Sequence, residues 1–234
     1  MTGPDETRAK DTAHRPFRRQ VFYIPGSDPF PPRRYRELYR TEAAAQAAIS
    51  GYDITLVPGT GGVGWTVEGR FGDVTADSRI DVQVWSDIVQ GSMTQGIVGT
   101  YLQLCRTVWV YVGSGAIFRL MRLRKGPMIA ALYPIMLLLA QAALAVLVAW
   151  TLGTCAVGLV AGVAVSHGFR RLDGKVFAYY LMHDYAFTAQ AGGVYAAALE
   201  ARMSGFRATM RASLDQELDE VLVVGHSSGA HLAV

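Results

Sequence analysis

Gly225, His226, Ser227, Ser228 and Gly229 spell G-x-S-x-G within the 234-residue chain. Small residues two before and two after a serine are what a sharp turn needs to hold a hydroxyl clear of the backbone, and such a hydroxyl becomes a nucleophile once a base takes its proton. The same letters also suit an ordinary turn, so the flanking elements decide the reading. Gly59-Thr60-Gly61-Gly62-Val63-Gly64 matches G-x-G-x-x-G, a pattern that binds a pyrophosphate only when its glycines open a helix. Here Trp65 to Asp73 leads into Asp81-Val82-Gln83-Val84-Trp85 with the alternation of a hairpin, so a glycine turn is expected and no cofactor is assigned. Cys105 and Cys155 stand far apart with no histidines at ligand spacing, which gives neither a disulfide framework nor a metal site. His183-Asp184 and His231 are weaker candidates for a base, and His226 reads as a packing or pocket residue.

The elements around Ser227 favour the nucleophile. Val221-Leu222-Val223-Val224 reads as a fully buried parallel strand, and Ala230 to Val234 begins a helix. A helix starting behind the serine would offer backbone N–H donors and a positive dipole end to a developing oxyanion. Upstream, Tyr195, Leu199, Met203, Phe206, Met210, Leu214 and Leu218 step by threes and fours, an amphipathic stripe that predicts core packing along one helix. Near the N-terminus, Gln20 to Ile24 is a short apolar run stopped by Pro25-Gly26. Pro31-Pro32 and Gly51 then bracket a helix over RRYRELYRTEAAAQAAIS, and Tyr52 to Val57 is a second strand. Strand, helix and strand in this order predict a βαβ unit with parallel strands.

On the elbow, its strand and helix, and this βαβ unit, the chain resembles the α/β-hydrolase superfamily, its esterase-like and lipase-like members in particular. The resemblance covers Gln20 to Gly59 and Tyr195 to Val234. It implies an α/β fold with a partial α/β-hydrolase-type parallel sheet, Ser227 as nucleophile, Gly225 and Gly229 as elbow glycines, and the Ser228 backbone N–H as one oxyanion-hole donor. In such enzymes the second donor comes from the turn after an earlier strand. That turn here is Pro25-Gly26-Ser27, with proline where histidine is common, so the matching donor is the Ser27 N–H. The implied reaction is hydrolysis of a small ester or acyl-lipid substrate through an acyl-enzyme, without cofactor or metal. The family places its acid and then its histidine after the serine. Val234 lies in the helix directly after Ser227, so the expectation is the N-terminal portion of a longer hydrolase whose triad is incomplete in these residues.

Between the two covered stretches the chain changes character. Hydrophobic residues make up 51% of the sequence against 18% charged, with mean hydropathy +0.21, which excludes a disordered chain. The net charge of +3 is too small to suggest nucleic acid as a partner. No charged residue occurs in the 38 positions from Met128 to Val165. A span needs about 20 residues, so this run predicts a helical hairpin crossing a membrane twice, with its turn near Trp150 to Thr154. Gly158 and Gly162 would let its two helices approach closely. Arg119, Arg122, Arg124 and Lys125 precede the run, and Arg170, Arg171 and Lys175 follow it. The positive-inside rule places both groups in the cytoplasm. Val108 to Arg124 mixes aromatic and basic residues in a manner suited to an interfacial helix.

The expected organisation is therefore a disordered tail over 1–19, and a first hydrolase part with a β-hairpin insertion over 20–107. An interfacial basic helix over 108–126, a transmembrane hairpin over 127–166 and a second hydrolase part over 167–234 follow. The functional expectation is a membrane-anchored serine hydrolase, multi-pass with two spans, its catalytic part cytoplasmic and membrane lipids its surroundings. The alternatives are a catalytically inactive relative of that fold and a small integral membrane protein with a binding role.

Overall fold

The computed structural model describes residues 15–27, 31–59, 63–93, 96–122, 124–152, 155–189 and 194–234. Its strands are β1 (Phe17–Ile24), β2 (Asp53–Pro58), β3 (Gly64–Phe71), β4 (Val74–Val82) and β5 (Glu220–Gly225). The helices among the described residues are α1 (Arg33–Ser50), α2 (Ser86–Gly91), α3 (Ile97–Gly113), α4 (Ala116–Met121), α5 (Lys125–Thr151), α6 (Cys155–Val176), α7 (Ala178–Thr188), α8 (Ala197–Leu214) and α9 (Ser228–Leu232). The chain divides into two compact units, Met1–Gln90 with Ala197–Val234, and Gly91–Ala196.

The first unit is an α/β structure on a five-stranded sheet in the order β2-β3-β4-β1-β5. The sheet is mixed, not parallel throughout: β4, β1 and β5 are parallel, whereas β2, β3 and β4 pair antiparallel. Short connections are the cause, since a tight turn can join only antiparallel neighbours. β2 keeps the direction of β1, as the strand-helix-strand pattern predicts, but β3 and β4 stand between them. Gly72, at φ 63°, closes the β3–β4 hairpin in a conformation that favours glycine. At the other end of β3, the Gly59 N–H donates to the Gly64 carbonyl at 3.3 Å. Thr60, Gly61 and Gly62 lie outside the described residues. A strand, not a helix, follows Gly64, so the glycine motif lacks the helix N-terminus that a pyrophosphate requires.

Alternation along the strands sorts the two faces of the sheet. Val21 and Tyr23 share one face with Trp65, Val67, Ile80 and Val82, and Tyr35 and Tyr39 of α1 pack against them. Phe22 and Ile24 point the other way and are fully buried. The helix predicted between Pro32 and Gly51 is α1; Gly51 takes φ 71° and its N–H bonds the Ala47 carbonyl. The predicted stripe before β5 is α8, which buries Leu199, Met203 and Phe206, while Tyr195 and Leu218 fall beyond its ends and Leu214 is exposed.

Two expectations in this unit are corrected. β1 begins at Phe17, inside the stretch 1–19 expected as a disordered tail; residues 1–14 lie outside the described residues. An Arg19–Glu220 ion pair ties that extension to β5, and so do bonds from Arg18 N–H to Asp219 Oδ2 at 2.8 Å and from Asp219 N–H to the Arg18 carbonyl at 2.9 Å. The aliphatic run of β5 is not fully buried, because β5 is the edge strand with only β1 beside it among the described residues. Leu222, Val223 and Val224 remain 36 to 43% exposed.

The second unit is helical. α5 and α6 run antiparallel in close contact: a Cβ on Gly158 would stand 2.5 Å from the Ala149 carbonyl oxygen, and one on Gly162 3.4 Å from that of Ala145. Both glycines thus lie on the contact face. Gly153 and Thr154, in the expected turn, lie outside the described residues. Leu104, Ile135, Leu138, Ala178, Tyr179 and Met182 form the core that joins α3, α5 and α7. Asp173 caps α7 by accepting the N–H groups of Tyr179 and Tyr180 at 2.8 and 3.1 Å. Because α3 and α7 share this core, the unit begins at Gly91 and ends at Ala196, wider than the expected 108–166. The single interfacial helix expected over 108–126 is broken: Gly115, at φ 70°, separates α3 from α4. Among the described residues one helix is long and apolar enough to cross a membrane, over Met128–Thr151 with mean hydropathy 2.2. α6 carries Arg170 and Arg171 in its second half.

Candidate active site

β5 delivers the chain to Ser227 beside the end of β1. Ile24 pairs with Gly225, and the His226 N–H donates to the Ile24 carbonyl at 3.0 Å as the last rung of that ladder. The backbone then turns sharply. Ser227 adopts φ 56° and ψ −129°, a region that a residue with a Cβ rarely enters and that costs on the order of 1–3 kcal/mol. The turn is closed by the Gly229 N–H on the His226 carbonyl at 2.9 Å and the Ala230 N–H on the Ser227 carbonyl at 3.0 Å. The Ser227 side chain is exposed.

Three glycines make room for this turn. A Cβ on Gly229 would stand 2.2 Å from the Ile24 carbonyl oxygen and 2.3 Å from that of Pro25. One on Gly225 would stand 2.5 Å from the Ala230 Cα. Both elbow glycines are therefore required by contact with backbone, which cannot yield as a flexible side chain can. Gly26 is the third, since its Cβ would lie 3.1 Å from the Ser227 Cβ and 3.4 Å from its Oγ. The Pro25-Gly26-Ser27 turn and the serine elbow are thus in contact, as the oxyanion assignment needs.

The donors are placed less simply. The Ser228 N–H takes no part in closing the turn. The Ser27 N–H donates to the Ser228 Oγ at 3.1 Å, so the second expected donor is engaged by the hydroxyl beside the first. The helix start expected behind Ser227 is present as α9, Ser228–Leu232. Among the described residues nothing hydrogen-bonds the Ser227 hydroxyl. His226 and His231 are exposed on either side of it in sequence. His183 and Asp184 are buried in the helical unit, where His183 Nε2 meets Ser92 Oγ at 2.8 Å and Nδ1 meets Gln103 Nε2 at 3.0 Å. A Gln103 amide donating to Nδ1 leaves the proton on Nε2, the tautomer that donates to Ser92. His183 is held as a structural group.

Sequence reasoning missed the clamp that holds the Pro25 turn. Trp85 is fully buried and its indole N–H donates to the Pro25 carbonyl at 2.7 Å. The segment carrying Trp85 is pinned in turn by Arg202 of α8, which donates to the Val84 carbonyl at 2.6 Å and grips Asp87 through both guanidinium nitrogens at 3.0 and 2.8 Å. The hydrogen bonds from Arg202 hold the Asp87 carboxyl below its usual range, and Asp87 raises Arg202. Trp85 ended an apparent strand, and no local pattern marks its reach of sixty residues to Pro25. Among the described residues no cluster of three metal-ligating side chains occurs.

Comparison of the chain with protein-family models, with curated proteins and with solved structures found no match.

Proposed function

We propose that this chain carries the nucleophile of a membrane-anchored serine hydrolase that cleaves carboxylic or acyl-lipid esters through an acyl-enzyme. The observation that carries the reading is the backbone of Ser227. A non-glycine residue at φ 56° between a parallel strand and a helix start is strained, and strain of this kind persists where the surrounding structure enforces it. Gly225, Gly229 and Gly26 supply that enforcement. In this reading Ser227 gives its proton to a base and attacks the ester carbonyl, and the Ser228 N–H donates to the oxyanion. The Ser27 N–H joins that donor when the Ser228 hydroxyl turns aside. The alcohol leaves with the serine proton, and water then releases the acid from the acyl-enzyme. The base is not assigned to any described residue. Neither cofactor nor metal enters the proposed reaction.

Membrane attachment is part of the same proposal. α5 supplies an apolar helix of spanning length, and α6 returns along it. β1 and β5 pair directly although the helical unit lies between them in sequence. In this reading the chain entering and leaving that unit lies on one side of the bilayer, which favours two crossings over one. The basic residues flanking the hairpin favour the cytoplasm as that side.

A second reading has one observation in its favour. The Ser228 hydroxyl on the Ser27 N–H fills the place of an oxyanion, as in a relative that binds without turnover. A fluorophosphonate probe applied to native membranes separates the two. Labelling at Ser227 that disappears in Ser227→Ala supports the hydrolase, and absence of labelling in the wild type favours the silent relative.

A further inference from the structure

Contacts at both ends fix how α5 and α6 run against each other. The Tyr133 hydroxyl donates to the Val176 carbonyl at 2.8 Å, while Gly162 and Gly158 abut Ala145 and Ala149. This antiparallel register sets Arg170, Arg171 and Asp173 of α6 level with the Pro134 to Leu139 stretch of α5. A cavity of about 220 Å³ lies there, lined by Arg170, Asp173, Thr100, Gln103, Tyr179 and His183, among others. Asp173 is held by the Tyr179 and Tyr180 N–H groups and cannot reach for a distant interface as a long basic side chain can. Just beyond, buried Gln141 donates to the Tyr179 hydroxyl. Ionised and polar groups gathered in this way do not belong among acyl chains. Hydrocarbon therefore begins near Gln141. Beyond it Val146, Leu147 and Trp150 of α5, with Leu159, Val160 and Val163 of α6, are 52 to 79% exposed.

The apolar reach of the hairpin is thus short. From Gln141 to Thr151 α5 rises about 15 Å, and the uncharged stretch of α6 from Cys155 to Phe169 about 22 Å, against a usual core of about 30 Å. Its tip nevertheless needs water. The last carbonyls of α5 and the first N–H groups of α6 have no partner inside their own helices, and hydrocarbon offers them none. Trp150, 79% exposed beside Thr151, is a residue suited to a membrane interface. Stranding several backbone groups in the acyl core costs more than thinning the surrounding lipid. We infer that this hairpin fits a thin bilayer, with a hydrocarbon core of about 20 Å, and prefers lipids with short acyl chains. The inference rests on the membrane attachment proposed above and adds the class of lipid. It does not depend on the hydrolase chemistry.

The test reconstitutes the full chain in vesicles of dimyristoleoyl, dioleoyl or dierucoyl phosphatidylcholine, whose acyl chains lengthen in that order. With Cys105 and Cys155 replaced by serine, Leu152→Cys reports the tip and Asp215→Cys the sheet side through a membrane-impermeant thiol reagent. In sealed dimyristoleoyl vesicles the fraction labelled at one position should equal the fraction protected at the other. Labelling of the tip should fall about fivefold or more in dierucoyl vesicles, where the mismatch is largest. Should Leu152→Cys fail to fold, Thr151→Cys carries the measurement. Equal tip labelling in all three lipids, still complementary to position 215, overturns the match to thin bilayers and leaves the two crossings standing. A tip unlabelled in every sealed vesicle overturns both the match and the crossing. A chain that does not float with vesicles of any composition, and stays as its own oligomer, overturns the membrane attachment itself.

Discussion

Gly26 and Ser227, 201 positions apart in sequence, are in such close contact that a Cβ on the glycine would stand 3.1 Å from that of the serine. The contact follows from the parallel pairing of β1 with β5, which ends at Ile24 and Gly225 and leaves the two following turns side by side. A sheet of this kind brings a hydroxyl and a backbone N–H cluster together without any side chain reaching far. Trp85 and the Arg202–Asp87 pair then fix the turn on the β1 side.

The strain at Ser227 separates activity from stability. In a full-length version that supplies the acid and base, Ser227→Ala should lower esterase turnover on short acyl esters by several powers of ten while the protein stays folded, because loss of the nucleophile in such sites removes the covalent path. Ser227→Gly should be equally inactive yet more stable by about 1 kcal/mol, since glycine enters φ 56° freely. Parallel melting curves and rate assays check both, and an Ala variant that keeps its rate would end the elbow assignment.

The neighbouring glycines should respond differently to an added methyl group. In Gly229→Ala the new Cβ meets two backbone oxygens at 2.2 and 2.3 Å, so a loss of about 3 kcal/mol or more is expected. In Gly26→Ala the contact at 3.1 Å is with the serine side chain, so stability should fall by about 1 kcal/mol or less. Displacement of the nucleophile should nevertheless reduce kcat about a hundredfold. Equal stability losses in the two variants would contradict these contacts.

Much of this arrangement is legible along the chain. The strand, turn and helix at Val221 to Val234, the helix between Pro32 and Gly51, and the close glycines of the hairpin follow from local patterns that each element carries in its own residues. What the chain hides is pairing. The four aliphatic residues of β5 read as buried, but burial depends on neighbours, and among the described residues β5 has one neighbouring strand. β1 and β2 flank a helix as adjacent strands would, yet the β3–β4 hairpin stands between them, with β4 beside β1. The Ser27–Ser228 hydrogen bond is hidden for the same reason, since it joins two turns far apart in sequence.

That hydrogen bond gives a prediction of opposite sign to most. Ser228→Ala removes the hydroxyl that engages the Ser27 N–H and leaves the Ser228 N–H in place. A hydrogen bond of this kind has a net value of about 1 kcal/mol, so freeing the donor should raise kcat about fivefold. A fall in rate measured on the same ester would mean that the Ser228 hydroxyl supports catalysis.

The Arg202–Asp87 pair makes stability depend on pH in the acid range. Its hydrogen bonds depress the Asp87 pKa from the ordinary value of 3.8, so the contribution is present above that value and is lost as pH falls through the depressed one. Both side chains are more than one third exposed, and solvent screening limits the pair to under about 1 kcal/mol. Asp87→Asn should therefore melt about 2 °C below the wild type at pH 7 and level with it at strongly acidic pH. A difference that persists in acid would assign the effect to packing.

The direct pairing of β1 with β5 constrains topology more tightly than the apolar helices do. One spanning helix alone would place residues before Gly91 and after Ala196 on opposite sides of the bilayer, where no ladder from Arg19–Glu220 to Ile24–Gly225 could form. If α5 enters the membrane, α6 must bring the chain back, although its uncharged stretch from Cys155 to Phe169 covers only about 22 Å of a core about 30 Å thick. After replacement of Cys105 and Cys155 by serine, single cysteines at positions 10, 153 and 215 report the arrangement through a membrane-impermeant thiol reagent. If the hairpin crosses as proposed, positions 10 and 215 should both be shielded in intact cells and position 153 should react from outside. Positions 10 and 215 labelling from opposite sides would defeat both the hairpin and the pairing of β1 with β5. Position 153 unreactive from outside, with 10 and 215 still alike, would mean that the hairpin enters the bilayer without crossing it.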